Sequence, residues 1–341
     1  MQGHKILVIT CCDHDWKLKN VTNIKLRKRS LLFAGPSITF HTLLKLKKWR
    51  SQIDVVHVPY TSNSLLAFPV LLAKKLFGIR YIISIHGGGM HPWRSKIFHR
   101  SFFQQADDIV AVSTTLKEEY EKRSGRKITV ILPLIPFIKS KILKNELRST
   151  YGFSDSDIII LSLGSIKTIK GSDTLLKAFL KLKKEYIEKK ELKLFYVGDG
   201  SMKPALEKIV EKAGFNAYVK FYGMVPYEKV PDMYKLADIY VIPSLFEGTP
   251  KSLLEAMFNG LPVLGSDTNG INNIIIDNKN GLLFTVSDDE DLTVKLKTLI
   301  ENQDLREKLS IATTKFVREN YIYEKTVSEF IETYKNVINK N

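Results

Sequence analysis

Two series of short apolar runs, each alternating with helical patterns, constrain this chain's fold more than any other feature. The first series is KILVIT, DVVHVPY, RYIISIH, DIVAVS and ITVILP; the second is IIILSLG, KLFYVG, VKFYG, DIYVIPS and LPVLGSD. Runs this short, this rich in β-branched residues and this continuously apolar match parallel strands covered on both faces. Helical patterns such as SDTLLKAFLKLKKEY and SMKPALEKIVEKAG lie between them. Strand, helix, strand repeated in this way gives doubly wound sheets with right-handed crossovers. The polar stretch KSKILKNELRSTYGFSDSD at 139–157 separates the two series and is expected to hold the linker.

With 341 residues, 44% of them hydrophobic, the chain can bury two cores of ordinary size. The expected fold is α/β, with two Rossmann-like doubly wound domains over residues 1–145 and 146–325. They are expected to face each other across a cleft at the carboxyl ends of their strands, where such sheets bind ligands. Residues 326–341 are expected to form a helix returning toward the first domain. No run approaches the roughly 18 apolar residues of a spanning helix, and MQGHKILVIT lacks the layout of a secretory signal, so a cytoplasmic location is expected. Adjacent Cys11 and Cys12 lie in an apolar stretch where a mutual bridge would be strained, and read as core thiols.

Charge is one-sided. Residues 1–150 hold 26 Lys and Arg against 9 Asp and Glu; the whole chain holds 52 against 36, which leaves 26 against 27 for the rest. So asymmetric a field suits an anionic partner. In TLLKLKKWRSQI, Leu43, Leu46, Trp49 and Ile53 fall on one helical stripe with Lys45, Lys47, Lys48 and Arg50 outside it. An anionic membrane surface, with the protein peripheral on its inner face, is the expected partner; the alternative is a stripe that packs inward beneath solvated lysines. The chain carries no helix-turn-helix, RNA-binding aromatic signature or zinc spacing, and no nucleic-acid partner is expected.

The chemistry concentrates in EGTPKSLLEAMFNGLPVLGSD, residues 247–267. DIYVIPS reads as a strand ending at Ser244, and Thr249 and Pro250 as N-cap and first helical residue. The helix ends at Gly260, with Pro262 beyond it. Leu253, Leu254, Met257 and Phe258 share one face; Lys251, Ser252, Glu255 and Asn259 share the other, so Glu255 points away from the core. Glu247 lies in the loop beyond the strand. Between the carboxylates, the free N–H groups of the helix start, over Gly248, Thr249, Pro250, Lys251, Ser252 and Leu253, suit a diphosphate. Each carboxylate offers two acceptor oxygens to paired hydroxyls. A nucleotide-sugar carries both features. From spacing alone, Glu255 can equally be a solvated helix residue and Glu247 a loop charge.

The run ADIYVIPSLFEGTPKSLLEAMFNGLPVLGSD resembles the donor-site signature of the GT-B "group 1" glycosyltransferases, the family 4 type, whose E-x7-E motif Glu247 and Glu255 match. The likeness continues through LGSIKTIKGSDTLLKAF, YVGDG, VKFYGMVPYEKVPDMY and NGLLF, and covers nearly all of 155–300. It implies that Glu247 meets the hydroxyls of the transferred sugar, Glu255 the ribose, and Lys170 the donor diphosphate, on the loop that also carries Gly164 and Ser165. Ser165 stands where the family usually has arginine, which makes Lys167 the neighbouring cation that would assist. In the first domain, His86 of IISIHGGGMHP is placed at a strand end before three glycines, and the resemblance implies that it faces the transferred sugar. His57, closing DVVHVPY, is a weaker candidate for the same role. HRSFFQQADDIVAVSTTLKEEY follows the family pattern, whereas ILPLIPF and GSDTNGINNI, with Asn269, Gly270 and Asn273, depart from it.

The resemblance thus implies an acceptor-side first domain, a nucleotide-sugar-binding second domain, and a retaining glycosyltransferase that needs no metal or other cofactor. A saccharide or lipid-linked acceptor in envelope polysaccharide or glycolipid synthesis is expected. The alternatives are a nucleotide-sugar 2-epimerase on the same fold and a catalytically weak homologue acting as a binding partner. DHD at 13–15 is a short match to the Asp-x-Asp site of a metal-dependent transferase. The resembling family opens with a strand, a glycine loop and a long helix before a "GH" and the second strand. GHKILVIT begins here at Gly3, so an N-terminally shortened form, with a sounder donor domain than acceptor domain, is expected.

Overall fold

The computed structural model describes residues 6–10, 21–25, 34–60, 67–87, 96–133 and 135–339. Cys11, Cys12, the DHD run at 13–15 and the last two of the three glycines after His86 lie outside the described residues. The chain forms two compact units, Met1–Leu132 with Val327–Asn341, and Pro133–Thr326.

The first unit carries β1 (Ile6–Thr10), β2 (Val21–Lys25), α1 (Ala34–Trp49), β3 (Val56–Tyr60), α2 (Ala67–Phe77) and β4 (Tyr81–Ile85). It continues through α3 (Lys96–Gln104), β5 (Asp108–Ala111), α4 (Thr114–Ser124) and β6 (Thr129–Val130). β1 and β2 pair in parallel, Ile6 opposite Val21 through Thr10 opposite Lys25. β2 went unanticipated because VTNIK has too few apolar residues to read as a strand. β3-β4-β5-β6 form a second parallel sheet in consecutive order.

One face of this sheet packs an aromatic core in which Tyr60, Tyr81, Phe102, Phe103 and Tyr120 meet edge-on or stacked, with the Tyr81 and Phe102 rings 5.1 Å apart. Leu46 is fully buried in this core, and Leu43 and Ile53 pack against it. The apolar stripe of α1 therefore faces inward, not outward to a membrane, because burying it removes far more apolar area from water than the neighbouring lysines lose. Among the described side chains of α1, Phe40 and Leu44 are the large apolar ones exposed.

The second unit carries α5 (Lys144–Thr150), β7 (Ile158–Leu163), α6 (Ser172–Lys181), α7 (Lys184–Lys189), β8 (Leu192–Val197) and α8 (Lys203–Ala213). There follow β9 (Val219–Gly223), α9 (Val230–Leu236), β10 (Ile239–Ile242), α10 (Lys251–Phe258), β11 (Val263–Ser266), β12 (Leu282–Phe284), α11 (Asp289–Glu301) and α12 (Gln303–Asn320). The chain then enters α13 (Tyr323–Ile338), most of which belongs to the first unit.

The sheet order is β12-β11-β10-β7-β8-β9, parallel throughout. Strand residues alternate between two cores: Ile160, Leu194, Tyr196 and Val241 face one, Ile159, Leu161, Phe195 and Ile242 the other. That is the two-sided burial which the continuously apolar runs require. The stretch 139–157 is not a free connector. Arg148 of α5 is buried and its guanidinium meets Asp238 at 2.6 Å, with Lys144 on the other oxygen at 2.7 Å, so the stretch is bolted to the start of β10. The helical pattern at 172–186 is likewise broken in two, at Lys183, whose φ of 61° cannot continue a helix.

Candidate active site

In the second unit, β7, β8 and β9 step outward in one direction, and β10, β11 and β12 in the other. Neighbouring connections therefore diverge between β7 and β10, and at such a reversal the carboxyl ends of the strands leave a crevice. A cavity of about 220 Å³ lies there, lined from β7 and its loop by Ser162, Gly164, Ser165 and Lys170, and from β10 and its loop by Ser244 and Glu247. Ser172 of α6 and Ser252 of α10 also line it.

Two glycines make the convergence possible. Gly171 has φ of 61°, and a Cβ there would stand 1.9 Å from the Pro243 carbonyl oxygen, so only glycine lets the turn Thr168–Lys170 press against the end of β10. The Leu245 N–H then donates to the Ile169 carbonyl at 2.9 Å. This fastens the two loops and brings the Lys170 ammonium within 2.6 Å of Glu247 Oε1. On the other side, Gly270 has φ of 88°, and a Cβ there would reach within 2.3 Å of the Glu247 carbonyl oxygen. The departure at Asn269-Gly270 thus still provides a close backbone approach. Thr268 Oγ1 donates to the Leu245 carbonyl at 3.0 Å, and the Glu247 N–H to that of Asn269 at 3.4 Å.

Glu247 Oε1 accepts a second hydrogen bond from Ser244 Oγ at 2.7 Å. Its side chain is only 12% exposed and that of Lys170 34%, so the pair is largely shielded and its charge-assisted bonds are strong for their length. Lys167 is exposed and does not line the cavity.

Glu255 is elsewhere. It does not line the cavity; on the outward side of α10 it accepts from Tyr227 Oη at 2.9 Å and from Tyr234 Oη at 3.0 Å, one phenol on each oxygen. Burial pushes its carboxyl above the usual carboxylate range, opposed by the two phenols and by Lys251. Burial, then the charge of Glu255, pushes the Tyr227 phenol up to about 12. Tyr227 and Tyr234 were not anticipated.

Gly164, Ser165, Lys170, Glu247 and Ser252 therefore meet in one cavity. Gly248 and Thr249 lie between Glu247 and α10. The helix begins at Lys251, one residue later than the sequence suggests, because Pro250 takes an extended ψ of 97° in the cap position, where it has no side-chain donor or acceptor to offer. Lys251 is exposed, and the side chain of Leu253 is fully buried in the core. Ser244, which in the sequence only ends a strand, is a further residue of the site that was not anticipated. The signal was there: a serine two residues beyond a buried strand and three before a loop glutamate.

In the first unit, His86 follows β4, is exposed, and has Nε2 3.0 Å from Ser84 Oγ. His57 is engaged differently from expectation. Its Nδ1 is 2.6 Å from Tyr334 Oη of α13, its ring packs on Phe330 and Tyr334, and burial, helped by the charge of His86, pulls it down to about 4. A neutral imidazole wedged under a helix is part of the packing.

Residues 144–316 match the family Glycosyl transferases group 1, and residues 1–136 match Glycosyltransferase Family 4. The chain is 25% identical to the uncharacterized glycosyltransferase MJ1069 of Methanocaldococcus jannaschii, over 93% of this chain and 86% of the relative. It is 27% identical to the alpha-monoglucosyldiacylglycerol synthase of Streptococcus pneumoniae, over 90% of this chain and 73% of the relative. The structure of Anabaena HepE in complex with UDP and glucose superposes with a TM-score of 0.75 at 16% identity, over 93% of this chain and 86% of that one.

Proposed function

The chain belongs to the group 1 glycosyltransferases of the family 4 type, and from that premise we propose that it moves a sugar from a nucleotide-sugar to a saccharide or lipid-linked acceptor in envelope polysaccharide or glycolipid synthesis. The observation that carries this reading is the Lys170–Glu247 pair, held with Ser244 in the crevice between β7 and β10. A diphosphate entering there would offer Lys170 a stronger partner than a single carboxylate, and the first-turn N–H groups of α10 add donors that carry no charge of their own. Glu247, released from the ammonium, would accept hydroxyls of the sugar, while Glu255 would accept those of the ribose.

Lys170 stabilises the departing nucleoside diphosphate. We assign His86 to the transferred sugar. The reaction is read as retaining and independent of metal or other cofactors. The protein is read as cytoplasmic; among the described residues no helix is long and apolar enough to cross a membrane.

The test is thermal stabilisation by a panel of nucleotide-sugars in the presence of a chelator, starting with UDP-glucose, since the HepE structure holds UDP and glucose. A donor at about one hundred times its Kd should add about 2.7 kcal/mol to the stability of the unit that binds it. Its anomeric configuration should be kept in the product. No stabilisation by any UDP-, GDP-, ADP- or dTDP-sugar would end the reading.

We also propose peripheral docking of the first unit on anionic lipid. Phe40 and Leu44 are 60% and 48% exposed, one turn apart on α1, and Lys47 and Lys48 are exposed on the same helix. The relative that makes alpha-monoglucosyldiacylglycerol supports a lipid-linked acceptor. Flotation with anionic but not zwitterionic vesicles at low salt is expected; equal recovery with both would dispose of the docking.

A further inference from the structure

We propose that Ser244 is a positioning residue for Glu247, holding that carboxylate in place while Lys170 turns to the incoming phosphates. The inference rests on the assignment of Glu247 to the transferred sugar. Both donors on Glu247 meet the same oxygen: Lys170 Nζ at 2.6 Å and Ser244 Oγ at 2.7 Å on Oε1. Oε2 carries neither, and is the acceptor left for a ligand hydroxyl. Lys170 cannot anchor Glu247 throughout the reaction, because it is the cation lining the cavity, and an entering diphosphate competes for it with more charge and more acceptor oxygens. Once Lys170 turns, a glutamate with three rotatable bonds would be free to leave its rotamer unless another donor stays.

Ser244 is built to stay. It is 1% exposed, just past the end of β10, and its carbonyl accepts a hydrogen bond from Ser266 Oγ, itself fully buried at the end of β11. The next residue is fixed from both sides, its N–H to the Ile169 carbonyl and its carbonyl to Thr268 Oγ1. The hydroxyl therefore projects from main chain tied to two neighbouring segments, the turn at Ile169 and the end of β11, and it carries no charge that a phosphate would draw away. A carboxylate that must meet a sugar hydroxyl within a few tenths of an ångström needs this kind of support.

The test is a double-mutant cycle on the full chain with the nucleotide-sugar it turns over. Ser244→Ala should lower kcat about tenfold, leave KM for the donor within twofold, and leave the melting temperature near that of the wild type. In the Glu247→Ala background the same substitution should change nothing further, because its only route to the reaction is gone. Ser266→Ala, which touches the backbone and not Glu247, should act equally in both backgrounds. An equal loss from Ser244→Ala in both backgrounds would make Ser244 a structural residue and overturn the proposal.

Should the wild type turn over no nucleotide-sugar, the transferase reading falls. The positioning is then decided by crystal structures in which no ammonium holds Glu247, Lys170→Ala against Lys170→Ala with Ser244→Ala: a Glu247 carboxylate displaced by more than about 1 Å in the double variant sustains it, and an unmoved one overturns it.

Discussion

The two units are built from the same strand–helix repeat, yet among the described residues the larger sheet of each differs in strand order. In the second unit the strand order reverses at β7 and β10, whereas β3 to β6 of the first run consecutively. A reversal sends successive connections to opposite faces and leaves a crevice at the strand ends. A consecutive run makes no such crevice within itself, and α13 packs near the amino ends of β3 and β4. The shielded polar groups follow this difference. Those of the second unit's crevice, Ser244, Glu247 and Lys170, are hydrogen-bonded to one another beside a cavity. In the first unit's four-stranded sheet, the partly buried His57 packs against α13, which also accepts from Arg80, whose Nη1 donates to the Ile338 carbonyl at 2.5 Å. A shifted titratable group is therefore evidence of a site only when something other than packing accounts for it.

His57 and Glu255 are the pair on which this comparison can be broken. Both are partly buried, and burial shifts both toward their neutral forms, the histidine down to about 4 and the carboxyl upward. The larger effect belongs to His57. An imidazole at about 4 when folded and 6.5 when unfolded binds fewer protons in the folded state. Its contribution is complete above pH 6.5 and is lost as the pH falls toward 4. At pH 5 the loss amounts to about 2 kcal/mol. We expect hydrogen exchange from the α13 amides to accelerate between pH 7 and pH 5, after correction for the intrinsic rate, and to do so much less in His57→Phe. Equal acceleration in both proteins would mean that other groups govern the docking of α13, and that His57 is free for another role.

How much of this was legible in the sequence depended on where the deciding information lay. β7, β8 and β10 were readable because they are buried on both faces and so are apolar at nearly every position. β2 and the three-residue β12, LLF, were not, since β2 lacks the apolar run that marks a central strand and β12 lacks the length. The stripe on α1 was read correctly as a stripe and assigned to the wrong side; periodicity gives the face and not what covers it. Glu247 and Lys170 came from a motif, but their contact depends on Gly171 lying against Pro243, a meeting of residues far apart in the chain that no local pattern records. The same holds for Ser244, whose hydroxyl could have pointed to solvent, and for Tyr227, which reaches Glu255 from another loop.

The smaller effect belongs to Glu255, and its sign is the opposite of His57's. A carboxyl raised by burial binds its proton more readily when folded, so its stabilising contribution is present below the unfolded value near 4.5 and is lost as the pH rises through the raised one. At pH 7 the second unit therefore bears the full cost of burying the charge, offset in part by the bonds from Tyr227 and Tyr234. Glu255→Gln keeps the shape and an acceptor oxygen while removing the charge. It should raise the melting temperature of the second unit by about 1–2 °C at pH 7, a gain that shrinks toward zero near pH 4. If Glu255 serves the ribose, the same variant should bind the donor's nucleoside diphosphate about tenfold more weakly, since a charged acceptor of two hydroxyls is replaced by a neutral one. A more stable protein that binds less well is the signature of a residue kept for its ligand. A variant that is less stable at pH 7 and binds unchanged would instead class Glu255 with His57, as a buried group that serves the packing of its own unit.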